Sequence, residues 1–137
     1  MNQSITLTDE GQTPEMAHPC APTFNSNDPS GAGGLTADIL AMSSVGVHVL
    51  AIATGSYMRD TAEIFDHVAF EEEAVAEQAR SVLEDISVQV IKVGFCGSPE
   101  NLSAIAEASS DYADVPVVAY MAHGKTMAKV IRIMAVA

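Results

Sequence analysis

Apolar runs of two kinds alternate along this chain. Pro22 to Ser26 gives a short candidate strand in which Phe24 is the strongly apolar residue. Leu35, Ile39, Met42 and Val45 then recur at helical spacing, and Gly46 stands where a C′ residue belongs. Val47 to Ala53 is almost continuously apolar, the pattern of a parallel strand covered on both faces. Thr54-Gly55-Ser56 ends it, and a loop holding Tyr57, Arg59 and Asp60 follows. Glu71 to Glu84 predicts a helix, with three glutamates at the positive end of its dipole and Val75, Ala79, Val82 and Ile86 as its stripe. Val88 to Phe95 predicts the next strand. Ser98 caps a helix with Pro99 at its first position, and Leu102, Ile105 and Ala106 face inward. Asp114 leads into a last strand, Val115 to Tyr120, whose Pro116 stands near its start.

Strands alternating with helices imply an α/β fold with a parallel sheet and right-handed crossovers. Ligands in such sheets bind beyond the carboxyl ends of the strands. The loops 26–34, 55–61 and 94–98 should meet there. The first of them, from Asn27 to Asp38, joins a turn at Asp28-Pro29-Ser30 to Gly31, Gly33 and Gly34 and then to a helix start. Glycines permit positive φ and close approach to the backbone. Free N–H groups at a helix N-terminus suit an anion or a polar small molecule.

Composition narrows the classes. At 137 residues and 48% hydrophobic, the chain is one domain or a large piece of one. Its formal net charge of −12 speaks against nucleic-acid binding. Cys20 and Cys96 form neither a zinc framework nor a disulfide scaffold, which fits a reduced, cytoplasmic setting. The first residues lack a secretory signal, and no apolar run reaches the roughly 18 residues of a membrane span. Residues 1–21 read as a mobile arm. Residues 121–137 read as a basic amphipathic tail, since Lys125, Lys129 and Arg132 lie there and no acidic residue does. The four histidines show no metal-ligand spacing. His48, inside an apolar strand, reads as a hydrogen-bonded core residue, and Cys96 as a small buried one. Asp60 and Asp66 read as surface or loop-capping residues.

The loop carries a resemblance. Asp28, Pro29, Ser30, Gly31, Gly34, Leu35, Ala37 and Asp38 match the Asp-Pro-Ser-Gly-Gly-Ala-Gly loop of the hydroxymethylpyrimidine/phosphomethylpyrimidine kinases of thiamine biosynthesis, with Ala32 and Gly33 in swapped order. Lys92 and Gly94 fit that family's Lys-Ile-Gly-Met segment, with Phe95 for Met. Residues 22–120 thus resemble the N-terminal half of a ribokinase-like domain, cut off after about four strands. The resemblance implies ATP-dependent phosphoryl transfer, with ATP and Mg2+ as cofactors. It places Ser26, Gly33, Asp38, Tyr57, Arg59 and Phe95 around a pyrimidine-like substrate, with Asp38 accepting from a ring amine and Phe95 stacking.

Two departures accompany it. Arg59 stands where relatives carry Gln. It cannot accept a hydrogen bond and is suited to an anionic group instead. No segment after Tyr120 matches the Gly-x-Gly-Asp part that supplies the catalytic base, so no catalytic residue is assigned in this chain. A sheet cut at this point leaves an unpaired edge. The expectation is self-association, or pairing with a separate C-terminal half. Two other functions compete. One is a non-catalytic small-molecule-binding or interaction module. The other is a P-loop-like nucleotide binder at Gly124-Lys125-Thr126, which follows a strand as such loops do but has Ala119 where the first glycine belongs.

Overall fold

The computed structural model describes residues 18–120. The elements run β1 (Cys20–Asn27), α1 (Gly34–Ser44), β2 (His48–Arg59), β3 (Ile64–Ala69), α2 (Glu72–Leu83), β4 (Ile91–Val93), α3 (Pro99–Ser110) and β5 (Val117–Ala119). They build one sheet in the order β3-β2-β1-β4-β5. β1, β2, β4 and β5 are parallel, and β3 folds back antiparallel on β2. The residues 1–21 divide differently from expectation, because β1 already begins at Cys20 and is the central strand. The expected tail and the Gly124-Lys125-Thr126 segment lie outside the described residues.

Register sorts the strand residues onto two faces. Phe24 pairs with Ile52 on one side and Val93 on the other, so these three form one row. That row, with Leu50 and Ile91, is buried beneath Val75, Ala79 and Leu83 of α2 and Ile105 of α3. Full burial of each such side chain contributes about 2 kcal/mol. Thr23 pairs with Ala51 and Lys92, and these residues face the other way, toward α1. That face is thinly covered. No residue of α1 is buried, Leu40 and Val45 are exposed, and so are Ala51 and Val118. The apolar stripe read for the first helix is therefore left largely open, and the strand from Val47 is fully covered on one face only. His48 is exposed at the start of β2 rather than held in the core.

The strand boundaries also shift. β2 does not end at Thr54-Gly55-Ser56. It runs on to Arg59 because β3, unrecognised in the sequence, supplies a new partner: Tyr57 pairs with His67 and Met58 with Asp66. Tyr57 and Arg59 are thus strand residues, not loop residues, and the sheet has five strands. Asp60 closes the hairpin by accepting from the Ala62 and Glu63 amides at 2.7 and 2.9 Å. The strands predicted over Val88–Phe95 and Val115–Tyr120 shrink to three residues each. α3 starts as its sequence dictates, with Ser98 Oγ accepting from Asn101 N at 3.1 Å and Pro99 in the first turn. No helix among the described residues is long and apolar enough to cross a membrane.

Candidate functional site

At the carboxyl end of β1, polar residues replace apolar ones: Asn25, Ser26, Asn27 and Asp28 follow Phe24. Three of them, Asn25, Ser26 and Asp28, are buried, so each needs an internal partner. Those partners come from β2, β3, α1 and the turn after β4.

Asp28 fills its own loop. Its Oδ1 accepts from Ser30 N at 2.9 Å and Ser30 Oγ at 2.6 Å, while Oδ2 accepts from Gly33 N at 2.9 Å. Arg59 Nη1 lies 3.3 Å from Oδ2. Burial alone would raise the Asp28 pKa, but the Ser30 and Gly33 hydrogen bonds and the Arg59 charge hold it below the usual carboxylate value. The loop is closed so tightly that a Cβ on Gly34, which has φ +61°, would stand 2.4 Å from Ser26 O. This corrects the reading of the glycine loop as an open anion site. The Ser30 and Gly33 amides already serve an anion, the Asp28 carboxylate. Arg59 is engaged by the same group.

Asp38 projects from α1 to the strand face below. It accepts from Thr23 Oγ1 at 2.7 Å, Asn25 Nδ2 at 3.0 Å and Lys92 Nζ at 2.6 and 2.7 Å. Burial pushes its pKa up; the hydrogen bonds from Asn25, Lys92 and Thr23, with the Lys92 charge, bring it below normal. Asn25 carries the connection onward, since its Oδ1 accepts from Ser26 N at 2.8 Å and Phe95 N at 3.3 Å. Gly94 fits against it: a Cβ there would be 2.4 Å from Asn25 Nδ2.

Beside these lies an aromatic corner. The Tyr57 and Phe95 rings are stacked with centroids 5.6 Å apart, and His67 of β3 stands edge-on to both at 4.9 and 4.8 Å. His67 Nε2 is 2.7 Å from Ser26 Oγ, which is 2.9 Å from Thr54 Oγ1, and Thr54 Oγ1 donates to Phe95 O at 2.8 Å. Burial lowers the His67 pKa, with Asp66 opposing. Burial raises that of Tyr57, and Asp28 adds to it. Of the residues singled out in the sequence, Ser26, Tyr57 and Phe95 therefore meet around His67, and Gly33 and Arg59 meet at Asp28. Asp38 stands apart from both groups and reaches the first of them through Asn25. His67, Asn25 and Thr54 were missed. Asn25 and Thr54 carried a readable signal, a polar residue where an apolar run in a strand gives out.

Asn101 ties the ends together from beneath, donating through Nδ2 to Cys96 O at 3.0 Å and Phe70 O at 3.2 Å. Burial pushes the Cys96 thiol up to about 11, so it is a packing residue and not a thiolate nucleophile. No cluster of three or more metal-ligating side chains occurs among the described residues. A groove of about 380 Å³ between α2 and α3 shares no residue with this corner.

Comparison with known proteins gives the family. The profile described as phosphomethylpyrimidine kinase matches residues 28–128. The chain belongs to the phosphomethylpyrimidine kinase family. It is 32% identical over 95 residues to a hydroxymethylpyrimidine/phosphomethylpyrimidine kinase of Streptomyces coelicolor, covering 69% of this chain and 35% of that one. The crystal structure of a phosphomethylpyrimidine kinase from Clostridium difficile 630 superposes with a TM-score of 0.68 at 26% identity, covering 74% of this chain and 44% of that one. A Staphylococcus aureus pyridoxal kinase shares the fold at a TM-score of 0.69 and 18% identity. The chain spans about a third of the length of the curated kinases it matches. The match confirms the ribokinase-like α/β class, now with a mostly parallel sheet of five strands.

Proposed function

We propose that this chain carries the substrate side of a thiamine-pathway kinase that acts on hydroxymethylpyrimidine or its phosphate. The observation that carries this reading is the Tyr57–His67–Phe95 corner at the carboxyl ends of β1, β2 and β4 in a chain of this family. A flat heteroaromatic ring is recognised by stacking and by a few polar groups at its edge. Phe95 is partly exposed and offers the ring face. In this reading Tyr57 closes the corner, and Gly33 and Arg59, gathered at Asp28, form its rim. Ser26, fully buried, and Asp38, held by Thr23, Asn25 and Lys92, support the corner from behind.

The family reading implies ATP and Mg2+. The glycine loop does not fit a nucleotide phosphate, because Asp28 takes the Ser30 and Gly33 amides and its negative charge would repel one. No transfer step is therefore assigned to these residues. Completion by a second polypeptide, or by another copy, is supported by the exposed apolar residues Leu40, Val45, Val118 and Tyr120.

Calorimetry on the 137-residue chain with hydroxymethylpyrimidine, with and without MgATP, tests the reading. The expected result is saturable, enthalpically detectable binding of the pyrimidine that does not require nucleotide. No heat with the pyrimidine under either condition would overturn it.

A further inference from the structure

A hydrogen-bond chain at the aromatic corner can run in only one direction. Phe95 O is a carbonyl oxygen and only accepts, so the Thr54 hydroxyl proton is committed to it. Thr54 Oγ1 must then accept from Ser26, which commits the Ser26 proton. Ser26 Oγ in turn accepts from His67, so the proton of His67 sits on Nε2. With that proton on Nε2, the ring in its neutral form has Nδ1 as a bare acceptor, and Nδ1 has no hydrogen-bond partner among the described residues. His67 itself is half-buried, so this acceptor is partly withdrawn from water.

The neighbouring carboxylates are already engaged. Both oxygens of Asp38 are held by Lys92, and one also serves Thr23 and Asn25. Both oxygens of Asp28 hold the glycine loop. Ser26 is fully buried. His67 Nδ1, by contrast, is an acceptor at this corner that no internal hydrogen bond uses.

We propose that His67 is the specificity-determining acceptor of the site, its Nδ1 taking a hydrogen bond from the exocyclic amine of a heteroaromatic ligand that packs on Phe95. This rests on the pyrimidine-site reading above and assigns the amine to His67 in place of Asp38. The hydroxyls of Ser26 and Thr54 act through His67 as positioning groups, fixing its tautomer and its ring plane.

The test compares hydroxymethylpyrimidine with its analogue lacking the amine, on the wild-type chain, His67→Gln and His67→Asn. Gln places its amide where Nε2 stands and can still donate to Ser26, but leaves nothing at the Nδ1 position. Asn places an acceptor near Nδ1 and gives up the Ser26 bond. Wild-type protein is expected to prefer the amine-bearing ligand about tenfold, the worth of one well-made hydrogen bond. His67→Gln is expected to bind both ligands alike, and His67→Asn to keep part of the preference. Nitrogen-15 spectra of the free wild-type chain are expected to show His67 protonated at Nε2, with the Nδ1 resonance moving when the amine-bearing ligand is added. Full preference retained in His67→Gln, or a proton on Nδ1 in the free protein, overturns the role of His67. Wild-type protein that binds both pyrimidines equally overturns that role alone. Wild-type protein that binds neither overturns the pyrimidine reading and this assignment together.

Discussion

Lys92 Nζ lies 2.6 Å from Asp38 Oδ1 and 2.7 Å from Oδ2, joining the strand β4 to the helix α1 across the back of the candidate site. Both side chains are largely shielded, at 18% and 14% exposure, so the pair is neither a surface ion pair nor a fully desolvated one. It is also the main polar anchor of a helix that buries none of its own residues.

Removing the cation should therefore loosen α1. Lys92→Met would leave a shielded carboxylate held only by Thr23 and Asn25. A fully buried unpaired charge costs about 3–5 kcal/mol, and the residual exposure here brings the expected loss to about 2 kcal/mol. Urea unfolding should show a lower midpoint with an unchanged slope. The paired change Asp38→Asn with Lys92→Met should lose less than the sum of the single changes, because the two residues share one interaction.

Gly94 shows a different constraint. An added Cβ would come within 2.6 Å of Asn25 Cγ as well as 2.4 Å of its Nδ2. Asn25 cannot step aside freely, since it holds Asp38, Ser26 N and Phe95 N at once. Gly94→Ala is expected to destabilise by about 1–3 kcal/mol, the range for overpacking. It should also displace Phe95, seen as a weakened pyrimidine affinity beyond what the thermal shift alone accounts for.

Much of this arrangement is legible in the sequence where local signals and tertiary context agree. The run from Val47, the Glu71 helix and the Ser98-Pro99 cap are all found close to where their patterns place them. The β3 strand was not legible because Ile64 to Ala69 alternates poorly and its apolar residues Ile64, Phe65 and Val68 are all exposed. Only pairing with Tyr57 and Met58 makes it a strand. Missing β3 meant missing His67. Asp38 entered through the family resemblance as an acceptor for a ring amine, and the internal partners that hold it were not legible. Thr23, Asn25 and Lys92 lie 15, 13 and 54 positions away, and only the sheet register brings them together.

The glycine loop gives a third prediction. Asp28→Ala removes the acceptor for Ser30 N, Ser30 Oγ and Gly33 N together. Leaving such donors unpaired should destabilise by about 2–3 kcal/mol. The vacated amides and Arg59 would then form an anion site of the kind found at helix N-termini. Added inorganic phosphate should raise the melting temperature of Asp28→Ala and leave that of the wild-type chain unchanged. An equal response in both proteins would contradict the account of Asp28 as the loop's built-in anion.

The last prediction concerns acid. Burial lowers the His67 pKa below its ordinary value of 6.5, so the folded chain takes up a proton there less readily than the unfolded chain does. A depressed folded value means that the stabilising contribution is fully present above the unfolded pKa of about 6.5 and is lost as pH falls through the folded value. Asp28 and Asp38 follow the same sign in a lower window, below their ordinary value of 3.8. Stability measured by urea unfolding should therefore be level from about pH 8 to 7, decline from about pH 6.5 downward, and fall again below about pH 4. His67→Gln carries no titrating ring and should flatten the first decline while leaving the second in place. A first decline of the same size in His67→Gln would show that a different group titrates there, and would remove the claim that the aromatic corner holds His67 neutral.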